Sequence, residues 1–280
     1  IHPRRVETAE RTADGFRVGG AWGALTSRRL VLATGGKSLP KSGSDGHGYA
    51  LAQSLGHTLT PRIFPALVPL LLPDGHPLRA LSGLSAEVEI SVFGASGKRL
   101  AAFMGSLLCT HFGISGPAVL DISRYYLDAH ADDPQAQLVV NWLPGEHAEA
   151  FERMILDQPK AGALRLLSER LPDRLARALL TISGIEIGTT FGALTRDQRR
   201  ALVSAVCALR LPIVGDRGYT YAEVTAGGVP LTEIALETMQ SRVCPGLHLC
   251  GEICAVDGRI GGYNFQWAWA SGYVAGVSAF

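Results

Sequence analysis

The segment from Gly246 to Gly276 constrains this chain more than any other. Leu247-His248-Leu249-Cys250 is a short apolar run ending at Gly251-Glu252, which predicts a buried parallel strand running into a site. Asp257 to Asn264 is a loop punctuated by Gly258, Gly261 and Gly262. From Phe265 to Val277 the apolar residues recur at helical spacing, and Ala268, Ala270, Gly272, Ala275 and Gly276 predict close packing of that helix against a sheet. A strand, a glycine loop and a helix in this order turn backbone N–H groups and a helix N-terminus toward a polar or anionic ligand.

Five cysteines (Cys109, Cys207, Cys244, Cys250, Cys254) are scattered without framework spacing, which points to a reduced, cytosolic protein. Cys250 and Cys254 lack partners at zinc spacing, so no metal is expected. A net charge of +1 gives no electrostatic reason to expect nucleic acid or an anionic membrane. The sequence shows neither a membrane-spanning apolar run nor a leader, and it opens on Ile1-His2-Pro3 without an initiating Met.

Several further segments fall into place around the carboxyl-terminal one. Val6 to Leu32 alternates short apolar runs with turns and predicts a β-meander feeding a buried strand, which ends in Ala33-Thr34-Gly35-Gly36. Lys37 to Gly48 is a polar loop in which Lys37, Lys41 and His47 read as solvated or structural residues. Asp45 is placed to cap a helix from Gly46 to Leu55. Prolines at 61, 65, 69, 73 and 77 predict an extended connector between domains. Beyond it, Ala86 to Val92 and Lys98 to Leu108 alternate as antiparallel strands, and Pro117 opens a helix to about Leu127. Gln137 to Trp142 reads as a strand, Glu146 to Leu180 as helical, and Thr195 to Leu209 as a helix with a capping box at Thr195 and Gln198. Thr220 to Pro230 reads as a strand entering the Gly227-Gly228 turn. Glu233 to Met239 reads as a short amphipathic piece.

Gly251-Glu252, Asp257-Gly258 and Gly261-Gly262-Tyr263-Asn264, followed by an aromatic and alanine-rich helix, resemble the flavin motif of two-dinucleotide-binding flavoproteins. In detail they resemble the bacterial BaiN-like NAD(P)/FAD-dependent oxidoreductase family. Ala33-Thr34-Gly35-Gly36, the run Gly46 to Ala52, Thr110-His111-Phe112-Gly113-Ile114-Ser115-Gly116-Pro117 and Thr225-Ala226-Gly227-Gly228-Val229 match the same family. The resemblance implies an α/β fold: a two-dinucleotide-binding-type FAD domain over residues 1–65 and 213–280, interrupted by an α+β insert over 66–212. It implies FAD as cofactor, NAD(P)H as electron donor and a small-molecule substrate with an activated C=C or C=N bond. Cofactor contacts are implied at Ala33, Thr34, Gly35, Gly36, Gly227, Gly228, Gly251, Glu252, Asp257, Gly258, Gly261, Gly262, Tyr263, Asn264 and Gln266. Thr225 and His111 are the implied catalytic candidates.

The glycine-rich βαβ unit with which members of that family begin has no counterpart near the amino terminus of this sequence. A truncated chain, a fragment gene or a partner chain supplying the missing segment would each account for this, and weak FAD binding by the chain alone is the expectation. Two other classes stay open. One is a non-catalytic or cofactor-free fragment serving as a binding module. The other is a flavin-dependent RNA-modifying reductase with Arg196, Arg199 and Arg200 as its footprint, although helical arginines interleaved with acids ordinarily form a solvated face.

Overall fold

The computed structural model describes residues 4–279; Ile1, His2, Pro3 and Phe280, the outer ends of the expected first domain, lie outside the described residues. The chain divides into two compact units, Ile1–Leu67 with Gly218–Phe280, and Val68–Arg217. The division falls beyond the expected borders at 65/66 and 212/213, and strand pairing is the reason. Phe64–Ala66 pairs antiparallel with Val224–Ala226 inside the first unit, whereas Gly215–Asp216 pairs with Leu70–Leu71 inside the second.

In the first unit, Thr8–Thr12, Gly15–Gly20 and Gly23–Ser27 form an antiparallel meander. Gly15 closes it: a Cβ there would lie 2.1 Å from the Ser27 carbonyl oxygen. The chain then enters a four-stranded sheet in the order Ile234–Ala235, Gln240–Ser241, Leu247–Leu249, Leu30–Leu32. The last two strands are parallel, with Leu247, His248 and Leu249 opposite Leu30, Val31 and Leu32. Leu32, Leu247, Leu249, Phe16, Ile253 and Ala275 are buried in one core. Helix His47–Ser54 starts one residue later than expected. Its cap position is Gly46, at φ 83°, and Asp45 works from one residue ahead by accepting the His47 N–H at 3.0 Å. The stretch from Glu233 to Met239 is not a helix; it makes the Ile234–Ala235 and Gln240–Ser241 hairpin, whose turn holds Met239 at φ 55°.

The second unit carries a seven-stranded antiparallel sheet in the order Leu209–Leu211, Gln137–Asn141, Ser85–Phe93, Arg99–Thr110, Gly113–Ser115, Leu70–Leu71, Gly215–Asp216. Helices Pro117–Asp132, Ala148–Asp157, Ala163–Ser168, Asp173–Ile182 and Arg196–Cys207 share its core around Trp142, Phe151 and Leu179. The Thr195 and Gln198 capping box forms in both directions. Leu209 belongs to a strand rather than to the preceding helix. The proline-rich stretch is not a bare connector either: its prolines alternate with residues that pair in two short strands and end in the 3₁₀ turn Pro77–Leu81.

One buried polar knot ties the hairpin of the first unit to the end of helix His47–Ser54. The His57 ring meets Glu233 through Nδ1 at 2.7 Å and Ser241 Oγ through Nε2 at 2.8 Å, with the His57 side chain fully buried. Ser241 Oγ also accepts the Val243 and Cys244 N–H groups, so its own proton goes to His57. Burial raises the Glu233 carboxyl, but hydrogen bonds from Thr58 and His57 outweigh it and hold the group below its ordinary range. Because the folded value is depressed, Glu233 stabilises the fold above the unfolded carboxylate pKa of about 4.3, and that contribution is lost as pH falls through the lower folded value. Chemical denaturation between about pH 6 and pH 3 will show a stability loss that Glu233→Gln largely removes. His57→Phe, which strands Glu233 and Ser241, will cost about 2–4 kcal/mol by the same measurement at neutral pH.

Candidate functional site

The two parallel strands end side by side, and the residues after them, Ala33 to Gly36 and Cys250 to Glu252, open into a cavity of about 600 Å³. Ligands of open α/β sheets sit outside the carboxyl ends of the strands, and the volume lies within the usual range of about 300–1,000 Å³ for small-molecule pockets. Gly35, Gly251, Gly261 and Gly262 on its wall all have positive φ, between 71° and 119°. Such backbone favours glycine and leaves the lining flat. A Cβ added at Gly262 would meet no atom within 4 Å. Phe265, Trp267 and Ala268 of the final helix, Tyr263–Ser278, give the opposite wall its apolar character.

Beneath the cavity lies a second polar knot. Thr225, expected to face a bound ring, is instead fully buried. Its Oγ1 accepts the N–H groups of Lys37 at 2.8 Å and Ser38 at 3.0 Å and lies 3.1 Å from Ser38 Oγ. The Thr225 N–H in turn donates to Glu252 Oε1 at 2.8 Å. Thr225 therefore fixes the turn after one strand and the carboxyl after the other, and acts by positioning Glu252. Burial pushes the Glu252 carboxyl above its ordinary range against the pull of the Thr225 bonds. Burial likewise raises the nearby Tyr49 phenol.

The loop at 257–264 is held by its own asparagine. Asn264 Oδ1 accepts the Gly258 N–H at 2.7 Å and its Nδ2 donates to the Gly258 carbonyl at 3.1 Å. Asn264 thus lines the cavity while both ends of its amide are spent on the loop. Ala33, Gly35, Gly251, Glu252, Gly261, Gly262 and Asn264 reach the wall together; Gly36, Thr34, Asp257, Gly258, Tyr263 and Gln266 sit behind or beside it. Gly227 and Gly228 are packed against the Arg62 and Ile253 carbonyls, where a Cβ would come within 2.2 and 2.5 Å, so they shape the chain path. His111 is an exposed turn residue of the second unit, its ring edge-on to Phe112. Leu39, Val224, Val256, Arg259 and Ile260 line the cavity without having been expected there, since none stands in a glycine motif.

Other features bear on chemistry. All five cysteines are free and buried, and burial raises the Cys254 thiol to about 12, which leaves it protonated and unreactive. Among the described residues no cluster of His, Cys, Asp and Glu could hold a metal ion, and no helix is long and apolar enough to cross a membrane. On the second unit, Arg199 of the expected footprint pairs with Glu152 at 3.0 Å, and Arg170 pairs with Glu146 and Arg177 with Asp173, each at 2.6 Å.

A parallel strand pair with a glycine-lined cavity at its carboxyl ends, in a chain of mixed helices and sheets, belongs to a mixed α/β protein of Rossmann type. The chain belongs to the family of the HI0933-like protein Rossmann domain, which matches residues 2–278. It is 36% identical over 279 residues to the 3-dehydro-bile acid delta(4,6)-reductase of Clostridium scindens, a match covering 98% of this chain and 68% of that protein. It is 36% identical over 248 residues to the ribosomal RNA dihydrouridine synthase of Escherichia coli, covering 88% of this chain and 59% of that one. The enzyme of the same name from Haemophilus influenzae is 35% identical over 254 residues, covering 90% and 60%. The chain thus spans roughly three fifths to two thirds of the length of these relatives.

Two glycines on and under the cavity separate a steric requirement from a permissive one. A Cβ at Gly36 would lie 2.6 Å from both Glu252 Oε1 and Thr225 Oγ1, while a Cβ at Gly272 meets nothing within 4 Å. Gly36→Ala will destabilise by about 1–3 kcal/mol in urea titration. Gly272→Ala, in the middle of a helix, will be neutral or stabilising by up to about 1 kcal/mol.

Proposed function

We propose that the cavity binds the flavin of FAD and that the protein is a NAD(P)H-linked reductase of the BaiN-like kind. The observation that carries this reading is the convergence of Ala33-Thr34-Gly35-Gly36 and Gly251-Glu252, from opposite ends of the chain, on one flat-walled cavity. The residues fit the group: positive-φ glycines leave room for a planar ring, the wall is mainly apolar, and Glu252 offers one polar side chain at the carboxyl ends of the strands. When bound, a flavin supplies hydride transfer between a reduced nicotinamide and the substrate.

The chain's own residues supply position and polarity. Glu252, its Oε1 held by the Thr225 N–H, is the group to hydrogen-bond a hydroxyl of the cofactor's sugar-alcohol tail. Gly261 and Gly262 border the pyrimidine end with backbone, and Asn264 keeps that loop in register with Gly258. Phe265 and Trp267 exclude water from one side.

The relatives' names share a chemical step. A delta(4,6)-reductase acting on a 3-dehydro compound and a dihydrouridine synthase both saturate a carbon–carbon double bond conjugated to a carbonyl. Hydride addition to such a bond leaves charge on the carbonyl oxygen, which makes a conjugated enone or enamide the substrate class of choice. Two relatives named for ribosomal RNA favour a second reading, in which that bond belongs to a uracil base in RNA. Of the three arginines of the footprint expected for that reading, Arg199 is spent on Glu152, which weighs against it.

The uncovered face of the final helix bears on cofactor retention. Phe265, Trp269, Tyr273 and Val277, one stripe at four-residue spacing, are 63–74% exposed, and only Ser271 and Ala275 of that helix are buried. Of its small residues Ala275 packs into the core beside the strands, while the aromatic stripe stays uncovered by the described residues. A surface laid on this stripe would cover the Phe265 side of the cavity. The chain alone will accordingly quench flavin fluorescence at high micromolar FAD, with Glu252→Ala weakening this about tenfold, and will lose the cofactor on dialysis. Absence of any quenching would remove the cofactor assignment. With FAD and a reduced nicotinamide supplied, turnover of a cyclic enone against a uridine-containing oligonucleotide distinguishes the two substrate readings.

A further inference from the structure

We propose that Arg11, Arg28 and Arg29 form a binding site for a phosphate group at the end of the parallel strand pair opposite the cofactor cavity. Both strands run the same way, so Arg28 and Arg29 precede one strand, Pro245 and Gly246 precede the other, and Gly35 and Gly251 follow at the far end. The three arginines line a separate concavity of about 600 Å³ with Ser27, Val31, Pro245, Gly246 and Ala279, and among the described residues no side-chain carboxylate lines it. This site is independent of the flavin reading.

The site is built rather than incidental. Arg11 Nη1 donates to the Gly15 carbonyl at 3.0 Å, and its guanidinium lies 4.8 Å from the centre of the fully buried Phe16 ring. That seat fixes the guanidinium while leaving its other N–H groups available. Ser27 Oγ donates to the Arg29 carbonyl at 2.8 Å and sets the turn that presents Arg28 and Arg29. Gly246 packs between the Arg28 backbone and the Arg11 guanidinium: a Cβ there would lie 3.5 Å from the Arg28 carbonyl oxygen and 3.9 Å from Arg11 Nη1.

Charge is the second argument. Residues 4–29 hold six arginines against three carboxylates, in a chain whose net charge is +1. Guanidinium groups cannot shed their protons, so their mutual repulsion persists unless an anion enters. None of the three pairs with a carboxylate among the described residues, in contrast to Arg170, Arg177 and Arg199. Their field reaches the core: burial first, and then the Arg29 charge, hold the buried His248 below the ordinary histidine range. Three forked donors around one concavity match the oxygens of a phosphate better than those of a single carboxylate.

A phosphate can arrive as a free phosphomonoester or within a nucleic-acid backbone, and the test separates the two. Inorganic phosphate, a nucleoside monophosphate and a short single-stranded oligoribonucleotide are titrated into the full chain by calorimetry, and into Arg28→Ala/Arg29→Ala and Arg11→Ala variants. Arg165→Ala, on the second unit, serves as the control, and thermal unfolding verifies that each variant is folded. Binding in any arm that falls about tenfold or more in the variants and is unchanged in the control supports the site. Preference for the monophosphate identifies a free ligand, and preference for the oligoribonucleotide identifies a polymer backbone. No binding in any arm, or binding that the substitutions leave unchanged, overturns the proposal.

Discussion

The first unit depends on one short parallel pairing. Leu30–Leu32 and Leu247–Leu249 come from opposite ends of the chain, and their register sets where every later residue of both segments falls. A slip of one residue in Leu30–Leu32 would turn Leu32 out of the core and put the exposed Val31 in its place. The in-register pairing places Gly35 and Gly251 at the same level, which is what makes a cavity of two separate glycine turns. Loop closure over such a distance costs entropy that grows only slowly with length, so an insert the size of Val68–Arg217 is compatible with it.

The cavity floor is held by polar groups satisfied through one another. Thr225 accepts two N–H groups from the turn after the first strand and donates its own N–H to Glu252 after the second. Buried polar groups are costly when unpaired, so this arrangement stiffens both turns at once. Gly36 is the residue that allows the approach, because any side chain there would collide with both partners. The same logic operates at His57, where a buried ring bridges Glu233 and Ser241 and ties the hairpin to the end of a helix.

Much of this was legible in the residues. The meander, the alternating strands around Ser85–Phe93 and Arg99–Thr110 and the capping box at Thr195 follow from period and local hydrogen bonding, which neighbours in sequence decide. The glycine motifs pointed to Ala33, Gly35, Gly251, Glu252, Gly261, Gly262 and Asn264 on one wall. Other features were not legible. Thr225 looked like a side chain at the ring, yet its hydroxyl is consumed by Lys37 and Ser38, partners remote in sequence. Glu233 to Met239 reads only as a short amphipathic piece, yet it leads into a hairpin because the adjoining strand Leu247–Leu249 offers Gln240 a neighbour. Val224, Val256 and Ile260 carry no pattern that marks a ligand wall.

The sequence by itself determined which segments bend, which alternate and which glycines must take left-handed backbone, since those are properties of a residue and its near neighbours. The glycine, acid and asparagine motif at the carboxyl terminus also carried a family resemblance. Only the tertiary structure decided that Glu252 is half-buried and restrained, that the aromatic stripe of the final helix faces outward, and that Arg11, Arg28 and Arg29 line one concavity. Those outcomes rest on burial and on convergence of charges and hydrogen-bond donors from distant positions, and these quantities exist only once the chain has closed on itself.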